Sequence, residues 1–134
     1  MQSSALSTQP SKAIVWTGRV FTALSTLFMI FDGVIHVAKP AVVTQAFAEL
    51  GVPAELSVTI GVIELACVAL LLVRRTSFLG ALLLTAYLGG ATAIQVRAGA
   101  GAFPVLFPAI IATLMWGGLL LRDPRIRSLV VGRE

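Results

Sequence analysis

The sequence predicts an all-α integral membrane protein, a four-helix bundle with a short interfacial helix at its outer end. Of its 134 residues, 57% are hydrophobic and only 12% are charged, and the mean hydropathy of +0.96 far exceeds that of a soluble domain. Four apolar runs approach the length needed to cross the roughly 30 Å hydrocarbon core of a bilayer as helices. The connections between these runs are short, so we expect a single membrane domain over residues 14–121.

The expected spans cover residues of about 14–38, 56–73, 78–96 and 103–121. Pro40 ends the first span, because proline disfavours helical backbone at the residue before it. In the segment that follows, Val43, Phe47 and Leu50 recur at helical spacing. This pattern predicts a short amphipathic helix across the mouth of the bundle. The third and fourth spans carry small-residue stripes that predict close helix packing: Thr85, Gly89 and Ala93, and Ala109, Thr113 and Gly117.

The chain ends and the cationic residues predict the orientation. Residues 1–13 are polar and rich in Ser and Thr, so we expect a disordered tail that is retained, and residues 122–134 form a basic tail. Cations on the terminal side outnumber those on the other side by seven to two: Lys12, Arg74, Arg75, Arg122, Arg125, Arg127 and Arg133 against Lys39 and Arg97. By the positive-inside rule both termini are expected in the cytoplasm.

Glu64 is the one acid within the apolar run 56–73. A carboxyl at that depth costs several kcal/mol unless neighbouring helices supply partners, so it is either a functional group or a polar contact that fixes helix packing. Asp32 is expected at a similar depth in the first span. The other polar groups in the outer half of the bundle complete a candidate outward-facing ligand-binding pocket: Asp32, His36, Glu64, Tyr87, Gln95 and Arg97.

Several chemistries could use this set. Asp32, His36 and Glu64 could supply three metal ligands, but His36 is the only histidine, so we expect no metal site. A haem site, with His36 and either Met29 or Met115 as iron ligands, is a weaker hypothesis than the metal site. A proton relay or quinone site would use the two acids and Tyr87. A pocket for a small apolar or amphipathic molecule, or a docking site for a partner protein, needs only shape.

Two function classes can be set aside. The cations that give the chain its net charge of +4 flank the apolar runs, so they predict orientation and not nucleic-acid binding. Cys67 is the only cysteine, which excludes an internal disulfide or a paired-cysteine redox motif.

The motifs FDGVIHVAKP, FAELGVP and LLLRDPRIR, with the long run from Glu64 to Gly99, resemble the DoxX-like family of small bacterial four-helix membrane proteins. The resemblance implies four membrane helices with both termini inside. It also implies a link to thiosulfate:quinone oxidoreductase, redox partners or chaperone-like roles, although most relatives have no assigned reaction. Asp32-Gly33 and Glu64 match family positions, whereas Gln95 stands where close relatives often carry histidine.

We therefore expect a multi-pass protein of a bacterial inner membrane, with a small-molecule-binding or accessory role in a membrane complex. The alternative is a quinone-linked redox or proton-relay subunit. Because no complete catalytic set is visible, an enzyme is not favoured, no catalytic residue is assigned, and the cofactor is left open. The expected partners are the lipid bilayer, a membrane protein or a second copy of the chain, and a small apolar ligand or quinone.

Overall fold

The computed structural model describes residues 10–132. The expected disordered tail therefore lies almost wholly outside the described residues, as does Arg133 of the charge count. The described chain is all-α, with no β-strand between residues 10 and 132. It forms six helices in order: α1 Lys12–Ala38, α2 Ala41–Glu49, α3 Leu56–Leu72, α4 Ser77–Arg97, α5 Ala102–Arg122 and α6 Pro124–Val131.

The ends of α1 and α2 follow from local backbone chemistry. Ser11 precedes α1, and its hydroxyl accepts a hydrogen bond from the amide of Ile14 at 3.3 Å. At the other end, Lys39 adopts a left-handed conformation with φ of 51°, and its amide donates to the carbonyl of Ile35 at 3.0 Å. Pro40 then starts α2, the expected short amphipathic helix, which buries Val43 and Phe47.

Three of the helices, α1, α4 and α5, are long and apolar enough to cross a membrane. The chain is therefore a helical membrane protein, as its composition predicts. The fourth expected span corresponds to α3, which is apolar but only 17 residues long, or about 26 Å. It is four residues shorter than α4 and α5 and ten residues shorter than α1.

The C-terminal segment, expected to be a basic tail, contains a helix over Pro124–Val131. Asp123 accepts a hydrogen bond from the amide of Arg125 at 3.0 Å, and Pro124 occupies the first helical turn, so α6 begins directly after α5. Ile126 is only 2% exposed. Arg125 donates to the carbonyl of Arg74 at 3.1 Å and ties α6 to the turn between α3 and α4.

The four longer helices pack in a ring. Helix α1 packs against α3 and α5, and α4 packs against the same two helices from the other side. Their shared core is aliphatic and sulfur-rich, and it contains Met29, Val68, Leu84, Met115 and Leu119. The shorter α2 packs against α3, and α6 packs against α5.

Glycines permit the closest helix approaches, but they are not the predicted ones. A Cβ atom added at Gly61 of α3 would lie 2.7 Å from the carbonyl oxygen of Gly33 on α1, and one at Gly18 would lie 3.2 Å from that of Gly118 on α5. In contrast, a Cβ at Gly89 would meet nothing within 4 Å in the described chain. The predicted packing role of Gly89 was therefore wrong, because its face of α4 points away from the neighbouring helices.

The second predicted stripe, on α5, also makes no close helix contact. Ala109 and Thr113 are exposed, and a Cβ at Gly117 would approach only the Phe21 ring, at 3.4 Å. Gly118, one residue further along, makes the close approach instead, against the backbone of Thr22 at 2.7 Å.

Candidate ligand-binding site

A cavity of about 640 Å³ lies among α1, α4 and α5, and residues of α2 form a further wall. It occupies the half of the molecule in which α1 ends and α5 begins. Most of its lining is apolar, including Phe28, Phe31, Ile35, Val43, Phe47, Leu88, Ile94, Phe107, Pro108 and Ile111. The lining side chains that carry polar groups are Asp32, His36, Tyr87 and Gln95.

Glu64 is completely buried on α3, next to this polar group of residues. Its Oε2 accepts a hydrogen bond of 2.8 Å from the hydroxyl of Tyr87 on α4. Its Oε1 has no hydrogen-bond partner among the described residues. A neighbouring helix therefore supplies one partner for this buried acid, and one oxygen remains unsatisfied.

His36 is fixed by two backbone contacts. Its Nδ1 lies 2.7 Å from the carbonyl oxygen of Asp32, one helical turn earlier. Because a carbonyl oxygen can only accept, Nδ1 must carry the hydrogen, which leaves Nε2 as an acceptor in the neutral ring. In turn, Ser57 on α3 donates to the carbonyl of His36 at 2.7 Å. The imidazole packs against Phe47 of α2, with ring centroids 5.5 Å apart.

The imidazole also lies close to both acids. His36 Nδ1 is 3.5 Å from Oδ2 of Asp32 and 3.9 Å from Oε2 of Glu64. Each of the three residues offers one possible metal-ligand atom, and these three atoms lie within 4.8 Å of one another, a spacing that could hold a metal ion. However, Nδ1 is engaged as a hydrogen-bond donor, so only Nε2 could offer a lone pair to a metal. The expectation that this is not a metal site stays a prediction.

The structure thus brings together five of the six residues singled out from the sequence. Asp32, His36, Tyr87 and Gln95 line the cavity, and Glu64 contacts Tyr87. Arg97 lies apart from them. Its guanidinium donates to the carbonyls of Leu50 at 3.0 Å and Gly51 at 3.2 Å, and so joins the end of α4 to the chain after α2.

Sequence reasoning missed the apolar part of the cavity wall. Phe28 of α1 meets Phe107 of α5 edge to face at 5.0 Å, and Pro108 follows in the wall. Gly90 of α4 also lines the cavity, where a Cβ would meet nothing within 4 Å in the described chain. The small residues Ala86, Gly90 and Ala91 were a signal of this space, because they leave room beside α4.

These features define a helical membrane protein with an apolar cavity that carries a few polar groups. The family model described as the DoxX-like family matches residues 20–118, which extend from α1 to α5 and include every candidate site residue. The chain belongs to the DoxX-like family. No curated protein matches the chain, and no solved structure matches it.

Proposed function

We propose that this protein is a four-span protein of a bacterial inner membrane whose cavity binds a small, mainly apolar molecule, as a binding protein or as an accessory subunit of a membrane complex. The cavity carries the proposal. Its volume of about 640 Å³ lies within the 300–1,000 Å³ usual for small-molecule sites. Its apolar walls with a few convergent polar groups are also typical of such sites.

The fourth span and the orientation rest on two further observations. Helix α3 packs between α1 and α4, two helices long enough to cross a membrane, so a spanning α3 completes the ring. Arg74 and Arg125 meet at the end of the molecule that also holds both ends of the described chain. The described cations concentrate at that end, which supports cytoplasmic termini and a cavity toward the opposite face.

Two neighbouring glycines allow a matched test. Gly89 and Gly90 both lie in α4, both are exposed, and a Cβ at either would meet nothing within 4 Å in the described chain, but only Gly90 lines the cavity. Gly90→Leu should place a side chain inside the cavity and reduce the space for a ligand, whereas Gly89→Leu should leave the cavity unchanged. The protein and both variants would be purified in a nonionic detergent and extracted, and the retained small molecules identified by mass spectrometry.

We expect a small molecule in extracts of the unaltered protein and of Gly89→Leu that is depleted at least roughly tenfold in Gly90→Leu. Equal amounts in all three samples would show that retained molecules sit elsewhere, and would contradict the proposal. Thermal unfolding of both variants checks that each is folded.

A quinone-linked redox or proton-relay role is the second candidate, and the contact between Tyr87 and Glu64 favours it. The hydroxyl of Tyr87 donates to the buried carboxyl of Glu64, and Nδ1 of His36 lies 3.9 Å from Oε2 of the same carboxyl. These three groups could form part of a proton path to a bound quinone. The same extraction separates the two candidates. A quinone that is present with Gly89→Leu and absent with Gly90→Leu would favour the redox role.

A further inference from the structure

We infer that the cavity selects a molecule with an ammonium group on an apolar chain, in preference to neutral or anionic molecules of the same shape. The inference rests on the proposed function, because it concerns the ligand of the same cavity. It follows from the count of hydrogen-bond donors and acceptors at the polar end of the cavity, and from the charges there.

The donors of the cluster are already used. The hydroxyl hydrogen of Tyr87 goes to Oε2 of Glu64, and the Nδ1 hydrogen of His36 goes to the carbonyl of Asp32. Of the polar residues that line the cavity, Gln95 alone retains a donor group not engaged within the described chain. A ligand that needs several donors from the protein, such as one with paired carbonyl groups, is therefore poorly matched.

The acceptors are in excess. Oε1 of Glu64 is fully buried and has no partner among the described residues. The carboxyl group of Asp32, whose side chain is 30% exposed, faces the cavity with His36 Nδ1 at 3.5 Å. Nε2 of a neutral His36 is a further acceptor. A proton shared between the carboxyls of Asp32 and Glu64, which have oxygens within 4.8 Å of each other, would occupy one acceptor of this pair. The other oxygen of Asp32 and Nε2 of His36 would still lack donors, so the ligand must bring them.

The charges point the same way. One acid, Asp32, lines the polar end of the cavity, and a second, Glu64, is buried with a carboxylate oxygen within 4.8 Å of it. Neither lysine nor arginine is among the residues described as the lining. Arg97, the nearest cation in sequence to Gln95, is held by the carbonyls of Leu50 and Gly51. Phe47 and Tyr87 also line the cavity, and aromatic rings attract cations. A primary ammonium supplies three donors and a positive charge to this acceptor-rich end, while its chain covers the apolar walls.

Three probes with the same chain test the head group: decylammonium, decanol and decanoate. At pH 7 they are cationic, neutral and anionic. Binding would be measured by equilibrium dialysis in a nonionic maltoside detergent, against a chamber that contains micelles alone. We expect decylammonium to bind at least about tenfold more tightly than decanol, as for a charge-assisted hydrogen bond, and decanoate to bind most weakly.

Variants assign the preference to the acids. Asp32→Asn should reduce the decylammonium-to-decanol affinity ratio to below about threefold, and Glu64→Gln provides the same test if Asp32→Asn does not fold. Glu55→Gln, which neutralises an exposed acid beside α3, should leave the ratio unchanged. A ratio near one in the unaltered protein, or a high ratio that survives in both cavity variants, would overturn the inference.

A lipid headgroup could present the same ammonium chemistry. Displacement of decylammonium by dihexanoylphosphatidylethanolamine, but not by the phosphatidylcholine of the same chains, would identify a headgroup as the source. Displacement by neither would identify a free alkylammonium, and both results support an ammonium site.

Failure of the inference can be told from failure of the proposed function. Suppose that decanol binding is lost in Gly90→Leu but that decylammonium binds the unaltered protein no better than decanol does. The cavity is then the binding site, and the inferred preference for ammonium is wrong. If none of the probes binds, or Gly90→Leu binds all of them unchanged, both fall.

Discussion

The hydroxyl of Tyr87 on α4 donates a 2.8 Å hydrogen bond to Oε2 of Glu64 on α3, and so joins two neighbouring helices at the most deeply buried acid of the described chain. A hydrogen-bond partner for the buried Glu64 was expected from the sequence, but the sequence did not identify which residue it is. This bond also serves helix packing, the second role that the sequence left open for the acid. The unsatisfied Oε1 is what packing alone does not explain.

The first prediction concerns that bond. Tyr87→Phe and Glu64→Leu should each lower the thermal stability of the detergent-solubilised protein, and the double variant should lose less than the sum. We expect a coupling free energy of about 0.5–2 kcal/mol, in the range found for polar contacts between membrane helices. Glu64→Gln should be better tolerated than Glu64→Leu, because its carbonyl oxygen still accepts from Tyr87. Strictly additive losses would show that the bond contributes nothing to stability.

The second prediction concerns the approach of α1 and α3. Gly61→Ala places a Cβ 2.7 Å from the carbonyl of Gly33 and 2.8 Å from the Cβ of His36, so the two helices must move apart. We expect a loss of about 1–3 kcal/mol, as for other overpacked sites. Gly89→Ala is the matched control, because it makes the same change in α4 where nothing in the described chain lies within 4 Å. Equal melting temperatures for the two variants would contradict this packing.

The glycines show what the sequence could and could not predict. Composition and apolar runs predict an all-α membrane protein and the approximate bounds of its helices, because lipid demands long apolar helices whatever their packing. Close approach depends on which face of each helix meets its neighbour. The regular stripe that contains Gly89 was therefore misleading, whereas the isolated pair Gly33 and Gly61 makes the contact.

The candidate site shows a similar division. Helical spacing places Asp32 and His36 on one face of α1, and depth places Glu64 at the level of Asp32, so the polar cluster could be predicted. The apolar walls of the cavity could not, because they combine side chains from five helices that no spacing relates. Arg97 lies apart from the polar cluster because its guanidinium donates to the carbonyl of Gly51. The path of the chain near Gly51 could not be predicted from the sequence.

The third prediction concerns α6. Ile126→Ala should destabilise the docked helix by roughly 2 kcal/mol or more, because Ile126 is 2% exposed and fills the space beside α5. Leu129→Ala, at a residue of the same helix that is 64% exposed, is the control and should have little effect. Hydrogen exchange over residues 124–131 measures the result. Similar protection in both variants would mean that Ile126 does not anchor α6.

The fourth prediction concerns topology. In a Cys67→Ala background, a cysteine at Ala100 should react with a membrane-impermeant thiol reagent in intact cells. A cysteine at the exposed Ser128 should react only after the cells are permeabilised, because the cation-rich end is expected inside. Labelling of position 128 from outside would overturn the proposed orientation.

Native mass spectrometry of the intact protein released from detergent tests for a ligand in the cavity. We expect one small molecule bound per chain in the unaltered protein and in Gly89→Leu, and an unliganded mass for Gly90→Leu, whose new side chain fills the space beside α4. The same bound mass at the same occupancy in Gly90→Leu would contradict the assignment of the cavity as the binding site.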